Sequence, residues 1–192
     1  MATVTAALVD WRQTDLYRFF ALVFGALTHE YFDFVSQASA RTALLDLWKC
    51  LECEGEFPGF EWFPSLRTLR VRVYRFVRRR SPEPAVPLFE SAHNKSHPAQ
   101  EIALENTYFY EVLELKSDSS RCVPDYLVTQ LEFLAALRYT REHTSDDGDA
   151  IFLAWAETEF LEHHLLKWVP TAKAKLDQLN APAFAVMMSL MV

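Results

Sequence analysis

The chain has 192 residues, 51% of them hydrophobic and 14% aromatic, which excludes a disordered protein and is enough to build a core. Only four are glycine, with no G-x-G-x-x-G and no G-x-x-x-x-G-K-[ST]; this excludes a dinucleotide fingerprint and a phosphate loop, and argues against a many-stranded fold. Lys plus Arg is 19 and Asp plus Glu is 26, a net charge of −7, which disfavours nucleic acid as a partner and weakly favours a cationic one.

Residues 1–15 contain Asp10 and Asp15 and no basic stretch leading into an apolar one, so no signal peptide is expected. Leu8, Leu16, Phe19, Phe20, Val23 and Phe24 recur at three- and four-residue spacing and predict a helix over about 6–26. Its uncharged run from Phe19 to Leu27 falls far short of the ~20 residues that span a bilayer, so no stable membrane insertion is expected. Thr28 is placed to cap a short helix through Tyr31, Phe32 and Val35. Residues 40–53 carry Leu44, Leu47, Trp48 and Leu51 on one face, and Gly55, Pro58, Gly59 and Pro64 break the pattern after them.

The clearest amphipathic helix is expected over 65–80, with Leu66, Leu69, Val73, Phe76 and Val77 as its apolar stripe and seven arginines without an acid. The arginines read either as an anion or nucleic-acid patch or as a solvated face paired with acids elsewhere, and the acidic whole favours the second. A long proline-rich connection follows at about 81–98, with Pro82, Pro84, Pro87 and Pro98; connections of this length without structure of their own tend to be functional or mobile. Helices are then expected from Pro98 to about Leu115, from Pro124 to about Arg141 and from Ala150 to about Trp168, with a short one restarting at Pro170 and reaching about Leu179. Asp146, Asp147 and Asp149 lie at the positive end of the 150–168 helix, which is apolar on several sides and is expected at the centre of the bundle. The pattern predicts a single all-α domain over 1–192, a bundle of about eight or nine helices.

Residues suited to chemistry are sparse. Cys50-Leu-Glu-Cys53 is a C-x-x-C, but it has no second pair and no βαβ setting, and three cysteines suit a reducing cytoplasm better than a disulfide framework. His163 and His164 stand near Glu159 and Glu162 without an H-E-x-x-H, and the only Glu-x-x-His, Glu90 to His93, lies in the proline-rich connection rather than on a bundle helix. His164 reads as a helix histidine bonded to a neighbouring segment. No serine or cysteine stands beside a recognisable base, so no catalytic residue, metal or cofactor is assigned. Asp125, Thr129 and Glu132 fall at i, i+4 and i+7 beside Tyr126, Gln130 and Phe133. This is either a solvent face or an acidic strip along an aromatic edge, fit for a peptide that is cationic at one end and apolar at the other.

Five segments in register resemble the TorD/DmsD/NarJ family of redox-enzyme maturation chaperones. Pro124-Asp125-Tyr126-Leu127 with Leu131-Glu132-Phe133-Leu134 is similar to its P-D-H-L…ELEFL segment, with Tyr126 in the histidine's place. Phe160, His164, Leu165, Trp168 and Pro170 match F-x-x-x-H-L-x-x-W-x-P, and Pro87-Leu88-Phe89-Glu90-Ser91 resembles the P-x-[YFW]-E-S loop. Arg75-Phe76-Val77 falls where the family has Y-x-R-L-F, although Arg72 and Val73 replace the usual acid and aromatic and the glycine that often follows is missing. Leu16 to Leu22 resembles the L-Y-x-L-L-A opening helix.

The resemblance implies a TorD-like, all-α cytoplasmic chaperone without catalysis, either a monomer or a domain-swapped dimer. Its partner would be the apo catalytic subunit of a molybdopterin-dependent oxidoreductase, held at its twin-arginine signal peptide until the cofactor is inserted. Asp125, Glu132 and Glu90 could then pair with the peptide's arginines, and Phe89, Tyr126, Phe76 and Val77 could line a groove for its apolar part, with Pro87, Ser91 and Pro124 beside them. The 81–98 connection could move to admit the peptide. Two other readings compete: a generic helical adaptor binding through the apolar tail at 181–192, and a helical metal or cofactor enzyme using His163, His164 and Cys50.

Overall fold

Apolar residues at helical spacing govern the backbone described by the computed structural model, which covers residues 13–25, 85–114 and 123–179 and the separate positions 38, 42, 45, 46 and 49. It comprises α1 (Gln13–Phe24), α2 (Glu90–His93), α3 (Ala99–Glu111), α4 (Leu127–His143), α5 (Asp147–Phe160), a π-helical turn (Leu161–Leu165) and α6 (Leu166–Gln178). The all-α class is as expected: among the described residues the only β-type pairing is one antiparallel bridge between Phe89 and Tyr126. The helices expected over 28–35, 40–53 and 65–80, and the tail at 181–192, lie outside the described residues apart from single positions.

Helix α1 packs on α4, α4 on α5, and the π turn continues α5 into α6. Phe19, Phe20 and Phe24 of α1 are buried, as are Leu127, Leu131 and Leu134 of α4 and Phe160, Leu165 and Trp168 beyond. An aromatic cluster ties three elements together, with Phe133 at 4.7 Å from Phe160 and 4.9 Å from Tyr110 between ring centroids.

Several boundaries differ from expectation for local reasons. Pro98 caps α3 rather than entering it, and α3 ends at Glu111, followed by a turn in which Glu114 takes a left-handed φ of 53°. Helix α4 starts at Leu127, not Pro124, because Tyr126 is held extended by the bridge to Phe89. Helix α5 starts at Asp147, where Asp146 accepts the Asp149 N–H at 2.9 Å as a side-chain cap. The 81–98 connection is not without structure, since it contains the bridge and α2.

Two expectations about the last helices are corrected. Helix α5 is not enclosed: it buries Leu153, Ala156, Glu157 and Phe160 on one side and exposes Ile151, Phe152 and Trp155 on the other. Pro170 does not restart a helix but lies inside α6. Proline has no N–H for the carbonyl four residues back, here that of Leu166, the first residue of α6 after the π turn.

Candidate functional site

The Pro87–Ser91 segment meets the turn before α4, and most of the residues singled out in the sequence converge there. The Glu90 N–H donates to the Asp125 carbonyl and the Leu127 N–H to the Leu88 carbonyl, both at 2.9 Å. These two bonds make a minimal antiparallel ladder centred on Phe89 and Tyr126. Their rings lie 5.2 Å apart, and both residues remain partly exposed. Tyr126 also reaches α1, its hydroxyl donating to the Phe24 carbonyl at 3.4 Å. Pro124 is fixed from below, its carbonyl accepting from the Tyr110 hydroxyl.

The three acids divide by position. Asp125 is buried, and its Oδ2 accepts the Ser91 N–H at 3.2 Å, so it fastens the loop to the turn. Glu90 is 1% exposed and points into the core. Its Oε2 accepts from Gln130 Nε2 at 2.7 Å and Asn106 Nδ2 at 3.1 Å, and lies 3.0 Å from His164 Nδ1. Gln130 Oε1 in turn accepts the Trp168 indole N–H at 3.3 Å. Toward the carboxylate His164 Nδ1 acts as donor, and Asn106 Nδ2 lies 3.1 Å from the same nitrogen. The expectation that His164 bonds a neighbouring segment is met by this contact.

Glu132 alone of the three is exposed. Partial burial nevertheless pushes its carboxyl above the usual range, and among the described residues no cation pairs with it. Asp125, Thr129 and Glu132 therefore do not form one helical strip, since Asp125 belongs to the turn. Phe76, Val77, Cys50, Cys53 and Cys122 lie outside the described residues.

His93, the other half of the Glu-x-x-His, stacks on Trp168 at 5.3 Å and shares a hydrogen bond of 2.7 Å with the Pro87 carbonyl. Burial lowers its pKa, with nearby Lys175 and Lys95 acting in the same direction. No group of three or more metal-binding side chains occurs among the described residues.

Sequence reasoning missed Asn106 and Gln130 as members of the network. The signal was present: Gln130 stands on the stripe Leu127, Leu131, Leu134, and Asn106 lies between Ile102 and Tyr110 at four-residue spacing. A polar residue on an apolar stripe must find a buried partner. A third buried acid, Glu157, was also missed. Arg138 and Arg141 both donate to its Oε2 at 2.9 Å, and Tyr17 of α1 donates to its Oε1 at 3.2 Å. Burial first, and then the Glu157 carboxylate, raise the Tyr17 pKa.

This arrangement, helices around a loop pinned by a buried acid and histidine, sits in the part of the chain that matches a known family. The model of the nitrate reductase delta subunit family covers residues 74–174, and the chain belongs to that family. Four of the five motif segments fall inside the match; the α1 segment lies before it. The chain is similar to the selenate reductase assembly chaperone protein of Thauera selenatis, 36% identical over 95 residues, 48% of this chain and 49% of that one. It is also similar to the chlorate reductase assembly chaperone protein of Ideonella dechloratans, 34% identical over 93 residues, 47% and 48% of the two chains. The chain thus spans about half the length of the curated relatives it matches. No solved structure matches it. None of the described helices is long and apolar enough to cross a membrane.

Proposed function

We propose that this chain is a non-catalytic assembly chaperone. In this reading it binds the apo catalytic subunit of a molybdopterin-dependent oxidoreductase in the cytoplasm, engages its twin-arginine signal peptide and assists cofactor insertion before export. Family membership and the two reductase chaperones among its relatives support the class.

The observation that carries the peptide-binding part is the junction of Phe89 and Tyr126. Two partly exposed aromatic rings are fixed side by side on a backbone ladder, which offers apolar area at little ordering cost. Glu132 lies six residues beyond Tyr126, about 9 Å along the helix axis at 1.5 Å per residue. Its carboxyl is partly desolvated and without a partner among the described residues, and an arriving guanidinium would supply one. Glu90, Asp125, Pro87, Ser91 and Pro124 shape the junction from behind, and Phe76 and Val77 are proposed to meet the peptide's apolar part.

Fluorescence anisotropy with a labelled twin-arginine signal peptide tests it. Tyr126→Ala and Glu132→Ala should each weaken binding roughly tenfold, about 1.4 kcal/mol. A twin-lysine peptide should bind less well than the arginine form. Unchanged affinity in both variants would remove the junction from the reading.

A further inference from the structure

We infer that the outward face of α5 is a second docking surface, which takes a cationic amphipathic helix of the client's mature chain. The inference rests on the chaperone reading above and adds a site to it. Ile151, Phe152 and Trp155 are 72%, 48% and 56% exposed, at i, i+1 and i+4 of one helix. At 100° per residue they cover one side of α5, with Trp155 in the middle and Gly148 one turn beyond Ile151 and Phe152. The opposite side carries Leu153, Ala156, Glu157 and Phe160 into the core. Three large apolar side chains grouped on an outer face are more than scattered surface exposure.

Charge identifies the occupant. From Asp146 to Glu162 the chain holds no lysine or arginine. Asp147 is exposed one turn before Ile151 on this side, whereas Asp146 and Asp149, also exposed, fall on the opposite side by the same 100° count; Glu159 and Glu162 follow at the other end, Glu159 lying 3.3 Å from His163. Glu157, the remaining acid, is turned inward onto Arg138 and Arg141 and takes no part. The face is therefore apolar at its centre and acidic at both ends, over about 22 Å of helix. A partner that fits is apolar over two turns with arginine or lysine at either end. Trp155 and Phe152, 5.8 Å apart, offer ring faces to such cations. Glu159 also lines a cleft of about 560 Å³ together with His163 and Lys167 and with Glu105 and Phe109 of α3; Ile151, Phe152 and Trp155 lie outside it. The span and two-ended charge suit a four-turn helix, whereas a signal peptide carries its arginines at one end.

Three variants test the inference: Trp155→Ser, the pair Glu159→Lys/Glu162→Lys, and Tyr126→Ala at the junction. Binding is measured with three probes: the client's apo catalytic subunit without its signal peptide, the isolated signal peptide, and a sixteen-residue helical peptide with arginine at both ends and a leucine centre. Trp155→Ser and the charge-reversed pair should weaken the mature subunit and the arginine-ended peptide at least tenfold and leave the signal peptide within twofold. An analogue with glutamate at both ends should not bind. Mature-subunit affinity unchanged in both α5 variants overturns the inference, as does a wild-type dimer in sedimentation that Trp155→Ser converts to monomer while the arginine-ended peptide fails to bind. Failure of the wild type to bind either client probe defeats the chaperone reading itself, whereas signal-peptide binding lost only in Tyr126→Ala, with the mature subunit unbound by wild type, defeats the α5 surface alone.

Discussion

Removing the Glu90 carboxylate should be among the most destabilising single changes in the described part of the chain. Glu90 is 1% exposed and is met by side chains from three other elements: Asn106 at 3.1 Å, Gln130 at 2.7 Å and His164 at 3.0 Å. Glu90→Ala strands the His164 N–H and takes one acceptor from each amide, although Asn106 retains the Ile102 carbonyl and Gln130 retains Asn106 Oδ1. Breaking a buried pair of this kind costs about 3–5 kcal/mol. At roughly 2–4 °C per kcal/mol for a chain of this size, the thermal midpoint should fall by about 6–20 °C. His164→Ala should cost a similar amount, because the carboxylate stays buried. The double variant should cost less than the two singles together, by about 1–3 kcal/mol, since neither group is then left without its partner. Urea unfolding followed by far-UV circular dichroism and tryptophan emission measures all three. A loss below about 1 kcal/mol for Glu90→Ala, or strict additivity in the double variant, would refute the view that this network holds the loop.

Further outcomes follow from other contacts. Glu157→Ala should cost about 2–3 kcal/mol in urea unfolding, less than a fully enclosed pair because Arg138 and Arg141 both reach solvent, and Tyr17→Phe about 1 kcal/mol. The folded chain disfavours protonated His93, so the stability tied to its neutral form is whole above the unfolded pKa of about 6.5 and lost as pH falls through the lower folded value; His93→Gln should flatten that acid limb in thermal melts. Glu132 has the opposite sign: its raised pKa gives stability below the unfolded value that is lost as pH rises through the folded one, so Glu132→Gln should melt higher than wild type at pH 7 while losing cationic-peptide binding. Gly25→Ala should destabilise by about 1–3 kcal/mol in the same melts, because a Cβ there would lie 2.5 Å from the Ala21 carbonyl oxygen, a backbone atom that cannot turn aside.

Among the described residues the longer helices were legible because three- and four-residue spacing survives in any packing, while the single turn of α2 was not. Helix ends were less so, since tertiary contacts set them. Nothing local to Pro124 says that Tyr126 will be drawn extended by Phe89, thirty-odd residues earlier in the chain. The π turn did leave a trace. Phe160, His164, Trp168, Ala172 and Leu176 are buried at strict four-residue intervals, and an α-helix with 3.6 residues per turn cannot keep such a row on one side. One widened turn absorbs part of the drift and lets His164 face Glu90 while Trp168 faces Gln130. The centrality expected of α5 failed for a related reason: hydropathy on all sides of a helix does not distinguish a buried helix from one that keeps an apolar face for a partner.

The acids make the same point about the site. Sequence spacing grouped Glu90, Asp125 and Glu132 by charge, whereas the fold separates them by solvation. Water exclusion makes the first two internal fasteners, with hydrogen bonds already committed to His164, Asn106, Gln130 and the Ser91 N–H. An arginine could recruit either of them only by displacing those partners. For Glu90 that exchange carries the cost of opening a buried pair, about 3–5 kcal/mol, equivalent to two to three and a half decades of affinity. Glu132 carries no such cost, and its desolvated carboxyl gains from a cation. Anchoring the loop and binding a peptide thus place opposite demands on a carboxylate, and the chain meets them with different residues. In the proposed reading the buried pair keeps Phe89 and Tyr126 in place, so that binding energy is not spent on ordering them.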